Sequence, residues 1–580
     1  MQFMALRKGS RSKLLAVFVL GMMLLFSVRL FQLQILQHDE YVQRSAAEQI
    51  RPLTIPAKRG LIYALDGSTP VPLVINQTVY TMFADPVMVT DPDKIVDVIN
   101  RVAKDNLQPN PEALLSIKNS RYQILGKKLT RRQAEEIKKE NLQGVGFQAV
   151  TERVYPEGKL AAQTLGFVNA EGLGQYGIEA QYNDALTGKD GLLKSVTDVS
   201  GVPLTIGNRN IHKPAKNGDT IVLTIDRNIQ SYTEKALVRG LKKAGATNGS
   251  VIVIDPQSGK VMAMANFPTY DPANFGHVKS AAVYNNPIID EPYEPGSDIK
   301  TFTVAVGIDK GVILPNSTYN NQDFIKVDDW VIRNATRGHT GNITMQTALN
   351  YSLNTGMVTI VERLGDGSHI NLQARNTMYG YFHDRFGFGK LTGIELPNEQ
   401  PGIVIPPTDV QGNAVRYSNM SFGQGMDLTM VQVASAFSTL VNGGVYYTPT
   451  IYGGLLHEDG TFMQAPVKQP KTGIITPKTS KLVHKMIHDA RAKFYATEDK
   501  AGYDIGGKTG TSQTLENGRY VDNQTVATYL GYGGDTMPRY VIMVQASGKG
   551  LNLQGNLHAL PIFTDISNWL IDYLKLQPKR

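Results

Sequence analysis

Residues 294–302 read EPGSDIKTF and place a serine and a lysine three positions apart, Ser297 and Lys300. The turn-forming residues 294–296 come directly before the serine, so Ser297 is predicted to open a helix. Positions i and i+3 share one face of a helix, which brings the lysine amine beside the serine hydroxyl. A serine becomes a good nucleophile only when a base removes its proton. The stretch therefore indicates a serine nucleophile with a lysine as its base.

A lysine acts as a base at neutral pH only if its pKa is lowered. Free lysine titrates near 10.4, so reaching pH 7 needs a depression of about three units, worth roughly 4 kcal/mol. Burial and a second cation nearby both act in that direction. We expect Lys508 to be the second cation. Taken alone, an S-x-x-K spacing is more often an ordinary surface serine and lysine.

A second pattern, Ser352-Leu353-Asn354, follows in the chain. In an extended or loop segment two residues spaced i and i+2 point the same way. The Ser352 hydroxyl can pass a proton to a leaving amine, and the Asn354 amide can orient a peptide and Lys300 through its donor and its acceptor. The competing interpretation is a simple turn, where serine and asparagine are common.

The third pattern is Lys508-Thr509-Gly510-Thr511. Strand alternation puts Thr509 and Thr511 on one face and Lys508 on the other, while Gly510 lets another backbone approach closely. The threonine hydroxyls can hold a carboxylate, the strand edge can pair with a peptide, and the N–H groups of Thr511 and Ser297 can form an oxyanion hole. The competing interpretation is an edge strand blunted by a lysine.

Each pattern is weak when taken singly. Residues 10–13 repeat S-x-x-K beside an apolar segment, and residues 471–473 repeat K-T-G after a proline. Ser352-Leu353-Asn354 is the only S-x-N in the chain. The order and context of the three patterns therefore carry the prediction.

The N-terminal segment is the second informative feature. Residues 14–28 are uncharged and mostly apolar, Arg29 interrupts them, and residues 30–36 continue more weakly. Arg29 can snorkel to an interface, so residues 14–36 are long enough to span a bilayer. The basic residues before position 14 place the N-terminus in the cytoplasm. A cleaved signal peptide is the alternative, but it needs small residues after the apolar core, and large ones follow here.

Composition excludes several function classes. The chain has 580 residues, 42% of them hydrophobic, and no cysteine, so it can form sizeable cores but no catalytic thiol, thiolate metal site or disulfide. The net charge is +8, of which the first 13 residues supply +4. No basic stripe or nucleic-acid-binding motif is present, so we expect no nucleic-acid partner.

Strand patterns point to an α+β domain from about residue 217 to the end, with an antiparallel sheet closed by both termini. A polar, turn-rich linker lies near residues 213–218. The sequence before it mixes short β-strand patterns with helical patterns. The expected elements are a short helix at 37–50, a strand at 79–83, a helix at 129–140, strands at 220–226, 250–254, 260–265, 525–530 and 539–545, and a helix at 562–576.

At this point the sequence resembles the class B penicillin-binding proteins, which are membrane-anchored, monofunctional peptidoglycan D,D-transpeptidases. The resemblance runs from the anchor almost to the C-terminus. Besides the three patterns it rests on Lys58-Arg59-Gly60-Leu61-Ile62, Gly177-Ile178-Glu179, Leu186-Thr187-Gly188, Gly191, Asp255-Pro256 to Gly259, Asn266-Phe267-Pro268, Tyr270-Asp271-Pro272 and Phe422-Gly423-Gln424-Gly425.

The resemblance implies a fold and a domain order. It implies an α+β chain with a single N-terminal transmembrane helix, an elongated pedestal and a transpeptidase domain like that of serine β-lactamases, an antiparallel sheet flanked by helices. We expect a cytoplasmic tail at 1–13, an anchor at 14–36, a pedestal (dimerisation-type) domain at 37–216 and the transpeptidase domain at 217–580. The catalytic part would then lie outside the cytoplasm, on a single-pass protein of the cell (inner) membrane.

The resemblance also implies an activity and its residues. A stem peptide ending in D-Ala-D-Ala acylates the serine, terminal D-alanine leaves, and an amine of a neighbouring stem takes the acyl group; β-lactams bind the same site. No metal and no cofactor are implied. The implied catalytic residues are Ser297, Lys300, Ser352, Asn354 and Lys508, and the implied substrate-binding residues are Thr509, Gly510 and Thr511, with Lys508 also facing the substrate carboxylate.

The sequence departs from the family pattern at two places. Asp298 stands where the family usually has Thr, Val or Ala, and Ala64-Leu65 replace the usual Asp-Arg. A carboxylate beside Lys300 would favour the charged amine and oppose the mechanism. Neighbouring helix positions do not face each other, so we expect Asp298 to point away from Lys300 and to be tolerated.

Several assignments remain as alternatives. Asn354, the compact length and the absence of an appended C-terminal module favour the division-specific (septal) type over the elongation type, by analogy. The implied partner is a polytopic membrane glycosyltransferase, contacted through the anchor and pedestal. A secreted β-lactamase, a D,D-carboxypeptidase, a bifunctional synthase and a catalytically inactive β-lactam-binding scaffold or sensor are the competing functions.

Overall fold

The structure, a computed structural model, describes residues 8–41, 50–196, 211–516 and 519–579. The chain divides into two compact units, one of residues 1–59 and 187–218 and the other of residues 60–186 and 219–580. Most of the helix expected at 37–50 falls outside the described residues.

The elements are numbered in chain order. Those before residue 227 are α1 (Lys8–Phe31), β1 (Ile50–Ile55), β2 (Ile62–Asp66), β3 (Thr69–Ala84), α2 (Pro92–Ala103), α3 (Pro111–Leu115), β4 (Gln123–Leu129), α4 (Arg131–Lys139), β5 (Val145–Val154), α5 (Ala162–Leu165), β6 (Phe167–Val168), β7 (Gly174–Gln175), α6 (Gly177–Gln181), α7 (Asn183–Thr187), β8 (Gly191–Val196), β9 (Ile211–Lys213) and β10 (Thr220–Asp226). Those up to residue 379 are α8 (Arg227–Ala244), β11 (Asn248–Ile254), β12 (Val261–Phe267), α9 (Pro287–Asp290), α10 (Lys300–Asp309), β13 (Thr318–Asn321), β14 (Phe324–Val327), β15 (Trp330–Arg333), β16 (Gly341–Thr344), α11 (Met345–Asn350), α12 (Asn354–Arg363) and α13 (Leu372–Tyr379). The last are α14 (Ala414–Met420), α15 (Met430–Val441), β17 (Tyr452–Leu456), β18 (Phe462–Gln464), α16 (Pro477–Tyr495), β19 (Asp504–Glu516), β20 (Arg519–Gly534), β21 (Pro538–Ser547) and α17 (Leu560–Tyr573).

The first unit contains the apolar helix and a small sheet. Helical residues Ser12–Leu36 have a mean hydropathy of 2.4 and are long and apolar enough to cross a membrane. Strands β1, β8 and β9 form an antiparallel sheet in that order. The helix fits the single-pass anchor that the sequence predicts at 14–36.

A seven-stranded sheet in the second unit has the order β18-β17-β10-β2-β3-β4, with β5 paired to β3. Strand β10 lies parallel to β2 and is buried along almost its whole length, as expected for a strand covered on both faces. The strand predicted at 220–226 is therefore present, but it pairs with a strand from the predicted pedestal. Its neighbour β2 contains Ala64, one of the two departures from the family pattern, as a fully buried residue.

The five-stranded sheet has the order β12-β11-β21-β20-β19 and is antiparallel throughout, which confirms the predicted antiparallel sheet. Alternation along β11 sends Val251 and Val253 into a core with α8 and α17, and sends Ile252 and Ile254 into a core with α10, α15 and α16. The sheet is thus covered by helices on both faces. The predicted α+β fold is confirmed, and β19 forms one edge of the sheet.

Candidate active site

A cavity of about 690 Å³ lies along the edge strand β19. It brings together the three sequence patterns, which are far apart in the chain. Seven of the eight predicted site residues line it, and only Gly510 does not: Ser297, Lys300, Ser352, Asn354, Lys508, Thr509 and Thr511. The second S-x-x-K, at residues 10–13, starts within α1, and the second K-T-G, at residues 471–473, is not part of the lining.

Ser297 lies in a 3₁₀ turn, Gly296–Ile299, that continues directly into α10, so it opens a helix as predicted. Gly296 has a positive φ of 62° and donates its N–H to the Gly423 carbonyl at 2.9 Å. A side chain on Gly423 would meet the Gly296 carbonyl oxygen at 1.8 Å. Glycine at both positions therefore allows two loops to pack tightly just before the serine.

Lys300 is 1% exposed and reaches the second pattern. Its Nζ donates to the Ser352 carbonyl at 2.6 Å and to the Ser352 hydroxyl at 3.0 Å. Burial, together with the charge of Lys508, holds the pKa of Lys300 well below its usual range. This is the direction that a base at neutral pH requires.

Ser352 and Asn354 reach the cavity from a geometry that the sequence did not predict. The segment is not extended, because Ser352 has a positive φ of 56° and Asn354 is the first residue of α12. The Leu353 N–H donates to the Ala348 carbonyl at 2.8 Å, which closes the end of α11 in a left-handed cap. The Asn354 amide donates to the Arg333 carbonyl at 2.9 Å.

The third pattern lies in β19, paired with β20 so that Gly510 is opposite Thr528. Lys508 is 5% exposed and donates from Nζ to the Thr509 carbonyl at 2.8 Å. The Thr511 hydroxyl accepts from the Gly555 N–H at 3.1 Å. Burial lowers the pKa of Lys508 to about 8, although the charge of Asp298 opposes that shift.

Gly510 has a packing role instead of lining the cavity. A Cβ there would meet the Thr528 hydroxyl at 2.1 Å and the Asp298 carboxylate at 2.9 Å. Asp298 is fully buried, and its Oδ2 accepts from the Thr528 hydroxyl at 2.7 Å. Its carboxylate is thus directed toward β20. Burial raises the pKa of Asp298 to about 7, against the Thr528 hydrogen bond and the charge of Lys508.

Comparison with known proteins assigns the family. Residues 249–568 match the family described as the penicillin binding protein transpeptidase domain. This chain belongs to that family. Residues 54–223 match the penicillin-binding protein dimerisation domain. The two domains together are those of a class B penicillin-binding protein, a peptidoglycan D,D-transpeptidase, and the recognition made from the sequence is confirmed.

Relatives of this penicillin-binding protein are similar along nearly the whole chain. Stage V sporulation protein D of Bacillus subtilis is 29% identical over 98% of this chain and 87% of its own length. A probable peptidoglycan D,D-transpeptidase of Pseudomonas aeruginosa, PbpC, is 27% identical over 95% of this chain and 93% of its own. The crystal structure of penicillin-binding protein 2X from Streptococcus thermophilus superposes with a TM-score of 0.73 at 23% identity, covering 90% of this chain and 80% of that one.

Sequence reasoning missed one charged residue of the cavity in this penicillin-binding protein. Arg491 of α16 is 1% exposed and lines the cavity. Its guanidinium donates to Asp499 at 2.6 and 2.8 Å and to the Tyr529 hydroxyl at 2.5 Å. Helix α16 is rich in Lys, His and Arg, so its pattern predicts a solvated face, and no sequence signal separates Arg491 from its neighbours.

The remaining lining comes largely from polar and aromatic side chains. Phe422 and Gln424 belong to a stretch that the family resemblance included, whereas Tyr351, Phe494 and Asn552 had no signal in the sequence. Within the described part of the chain, no group of three or more His, Asp or Glu side chains could hold a metal ion. The residues of the three sequence patterns supply hydroxyl, amine and amide groups to the cavity.

Proposed function

We propose that this chain cross-links peptidoglycan through an acyl-enzyme on Ser297. Lys300 takes the proton of the Ser297 hydroxyl as Oγ attacks the carbonyl carbon of the penultimate D-alanine. The N–H groups of Ser297 and Thr511 stabilise the oxyanion. Breaking the C–N bond releases D-alanine, whose amine receives the proton from Lys300 through the Ser352 hydroxyl.

The second half of the reaction returns the serine. The amine of an acceptor stem attacks the ester carbonyl and loses a proton to Lys300, which passes it to the Ser297 oxygen as the ester C–O bond breaks. Lys508, Thr509 and Thr511 hold the terminal carboxylate of the donor, and Asn354 orients its peptide. The hydrogen bonds from Lys300 Nζ to Ser352, in one cavity with Ser297 and Lys508, carry this proposal.

An aminolysis assay tests the proposal. The purified chain is incubated with a donor peptide ending in D-Ala-D-Ala and with a D-amino acid as acceptor, and products are identified by mass. We expect an acyl-transfer product from the wild type and none from Ser297→Ala. Hydrolysis product alone would indicate a D,D-carboxypeptidase, and no product from the folded chain would indicate an inactive scaffold or sensor.

We further propose the septal role, with inhibition by β-lactams. Support comes from asparagine at position 354, as in the division-specific type. Depletion of the chain in its own organism tests the role. Filaments with blocked septa are expected, whereas rounded or widened cells would indicate the elongation type.

The membrane arrangement is also a proposal. Residues 14–36 anchor the chain in the lipid bilayer of the cell (inner) membrane, with the N-terminus in the cytoplasm and the domains 37–216 and 217–580 outside. A polytopic membrane glycosyltransferase of the division machinery supplies the glycan strand and contacts the anchor and pedestal. The apolar helix at Ser12–Leu36 supports the anchor.

A further inference from the structure

Asp298 carries a buried carboxylate and lies in the sequence between the proposed nucleophile and the proposed base. We propose that it is the counter-charge that keeps Lys508 a cation, and that it thereby acts as a positioning residue for binding of the substrate carboxylate. This inference rests on the proposed function of Lys508 in that binding. It replaces the expectation that Asp298 is merely tolerated.

The strand geometry places the carboxylate on the side of Lys508. Residues two apart in a strand project from the same face and are about 7 Å apart along it. The Lys508 side chain and a Cβ built on Gly510 would therefore lie on the same face of β19. A Cβ on Gly510 would meet Asp298 Oδ2 at 2.9 Å, so the carboxylate lies directly over that face. The absence of a side chain at Gly510 is what makes room for it.

The hydrogen bonding of Asp298 leaves one oxygen for a cation. Oδ2 accepts from Thr528, but no donor among the described residues reaches the buried Oδ1. A buried carboxylate with an unsatisfied oxygen is costly unless a positive charge faces it. Lys508 Nζ, for its part, donates to neutral acceptors, the Thr509 carbonyl at 2.8 Å and the Thr509 hydroxyl at 3.4 Å. Each group thus lacks a charged hydrogen-bond partner and lies on the same face of β19 as a group of the opposite charge.

The titration directions agree with this pairing. Burial lowers the pKa of Lys508 to about 8 and raises the pKa of Asp298 to about 7, and in each case the opposite charge of the partner resists the shift. Lys300 faces Lys508 from α10, and the Lys508 cation contributes to the lowered pKa of Lys300. A charged Lys508 therefore serves both carboxylate binding and the lowered pKa of Lys300.

Other titratable groups near the pair come from two sides. The partly buried Tyr293, before the 3₁₀ turn, has a buried hydroxyl whose pKa is raised by burial and by the charge of Asp298, so it stays neutral. Helix α16, which packs on β19, contributes three further groups that are paired with carboxylates: His484 and His488 with Asp504, and Arg491 with Asp499. This leaves Asp298 as the carboxylate that acts on Lys508.

The test compares the wild type with Asp298→Asn, in which the amide oxygen still accepts from Thr528. The rate of acylation by a fluorescent penicillin, which carries a carboxylate, is measured from pH 5.5 to pH 9.5 at several drug concentrations. We expect the alkaline limb to move to lower pH by about one unit or more, because Lys508 loses its counter-charge. The loss of positive charge on Lys508 should weaken binding of the drug, whereas the acylation rate at saturating drug should change little.

A second measurement does not depend on acylation. Competitive labelling of lysines with acetic anhydride across pH, read by peptide mass spectrometry, reports the pKa of Lys508 directly. We expect Lys508 to become reactive at lower pH in Asp298→Asn than in the wild type. If the wild type were not acylated by the penicillin, the proposed function would fail, and this labelling would still decide the role of Asp298.

Glu362→Gln is the matched control. The pKa of Glu362 is also raised to about 7 by burial, but the charges near it are His369, Asp366 and Arg363. Removing the Glu362 carboxylate should leave unchanged both the pH profile of acylation and the pH profile of Lys508 labelling. If Asp298→Asn folds poorly, Asp298→Thr, which places the residue usual in the family, is expected to give the same shift. Unchanged profiles in a variant with native thermal stability would overturn the proposal.

Discussion

At the scale of single residues, Lys300 carries most of the proposed chemistry. Its amine is buried, contacts Ser352 through two hydrogen bonds and faces Lys508 as a second cation. From the need to lower a lysine pKa, the sequence predicted burial of Lys300 and Lys508 as the second cation; the i, i+3 spacing predicted that the amine lies beside the Ser297 hydroxyl. It did not predict that the Ser352 carbonyl would be an acceptor, because that contact depends on the left-handed cap that closes α11.

Replacing Lys300 by Met removes the base and leaves a side chain of similar length. We expect the rate of acylation at saturating penicillin to fall by about 10²–10⁴-fold, the usual contribution of a positioned base. Binding before acylation should change little, because Lys508 and the threonines remain. Stopped-flow measurement over a range of drug concentrations separates the binding step from the acylation step. A variant acylated at the wild-type rate would assign the base to another group.

The same lysine makes a pH prediction. Burial and the charge of Lys508 lower the pKa of Lys300, so its amine should lose its proton at a lower pH than an ordinary lysine does. The acidic limb of wild-type acylation should therefore level off well below pH 10.4, where an ordinary lysine titrates. A rate that kept rising up to pH 10 would indicate an ordinary lysine pKa and would contradict the role.

At the scale of elements, the approach of two loops determines where the serine lies. There is no room for a side chain at Gly423, because a Cβ there would lie 1.8 Å from the Gly296 carbonyl oxygen. Gly423→Ala should displace the turn that holds Ser297, and a displacement of about 1 Å can reduce a rate by about 100-fold. Penicillin acylation and thermal stability would both be measured. Gly380→Ala, where no atom lies within 4 Å, is the control and should leave acylation unchanged.

The contact between α16 and β19 makes a prediction about stability and pH. A hydrogen bond to Asp504 raises the pKa of His488, so its stabilising contribution is complete below about pH 6.5 and is lost as pH rises through the raised value. His488→Gln should therefore lower the melting temperature more at pH 5.5 than at pH 8.5. Lys485→Gln removes an exposed i, i+4 pair with Asp489 and should have a small effect at both. Equal losses at both pH values would contradict the assignment.

Particular elements show why sequence could predict part of this architecture. The antiparallel hairpin of β11 and β12 and the strands β20 and β21 have local alternation and turn signals, so each was predicted. The pairing of β10 with β2 was not, because it joins residues about 160 positions apart by a parallel contact that leaves no local pattern. Arg491 likewise looks like any basic residue of an amphipathic helix until its aromatic and acidic partners are placed around it.

At the scale of the whole molecule, the account predicts a membrane protein whose catalytic part is independent of the anchor. A chain lacking residues 1–36 should be recovered in the soluble fraction and should still be acylated by penicillin, because the cavity is formed entirely by residues 296–556. The full chain should fractionate with the membrane and keep its N-terminus by intact mass. Loss of the N-terminal segment from the full chain would instead indicate a cleaved signal peptide.

The proposed function requires that Ser297 form a covalent acyl-enzyme. Intact-mass spectrometry of the purified full chain after incubation with a penicillin, beside Ser297→Ala, detects that intermediate. We expect one stable adduct on the wild type, mapped to the peptide containing Ser297, and none on the variant. A folded wild type without an adduct, or an adduct that persists in Ser297→Ala, would contradict the claim.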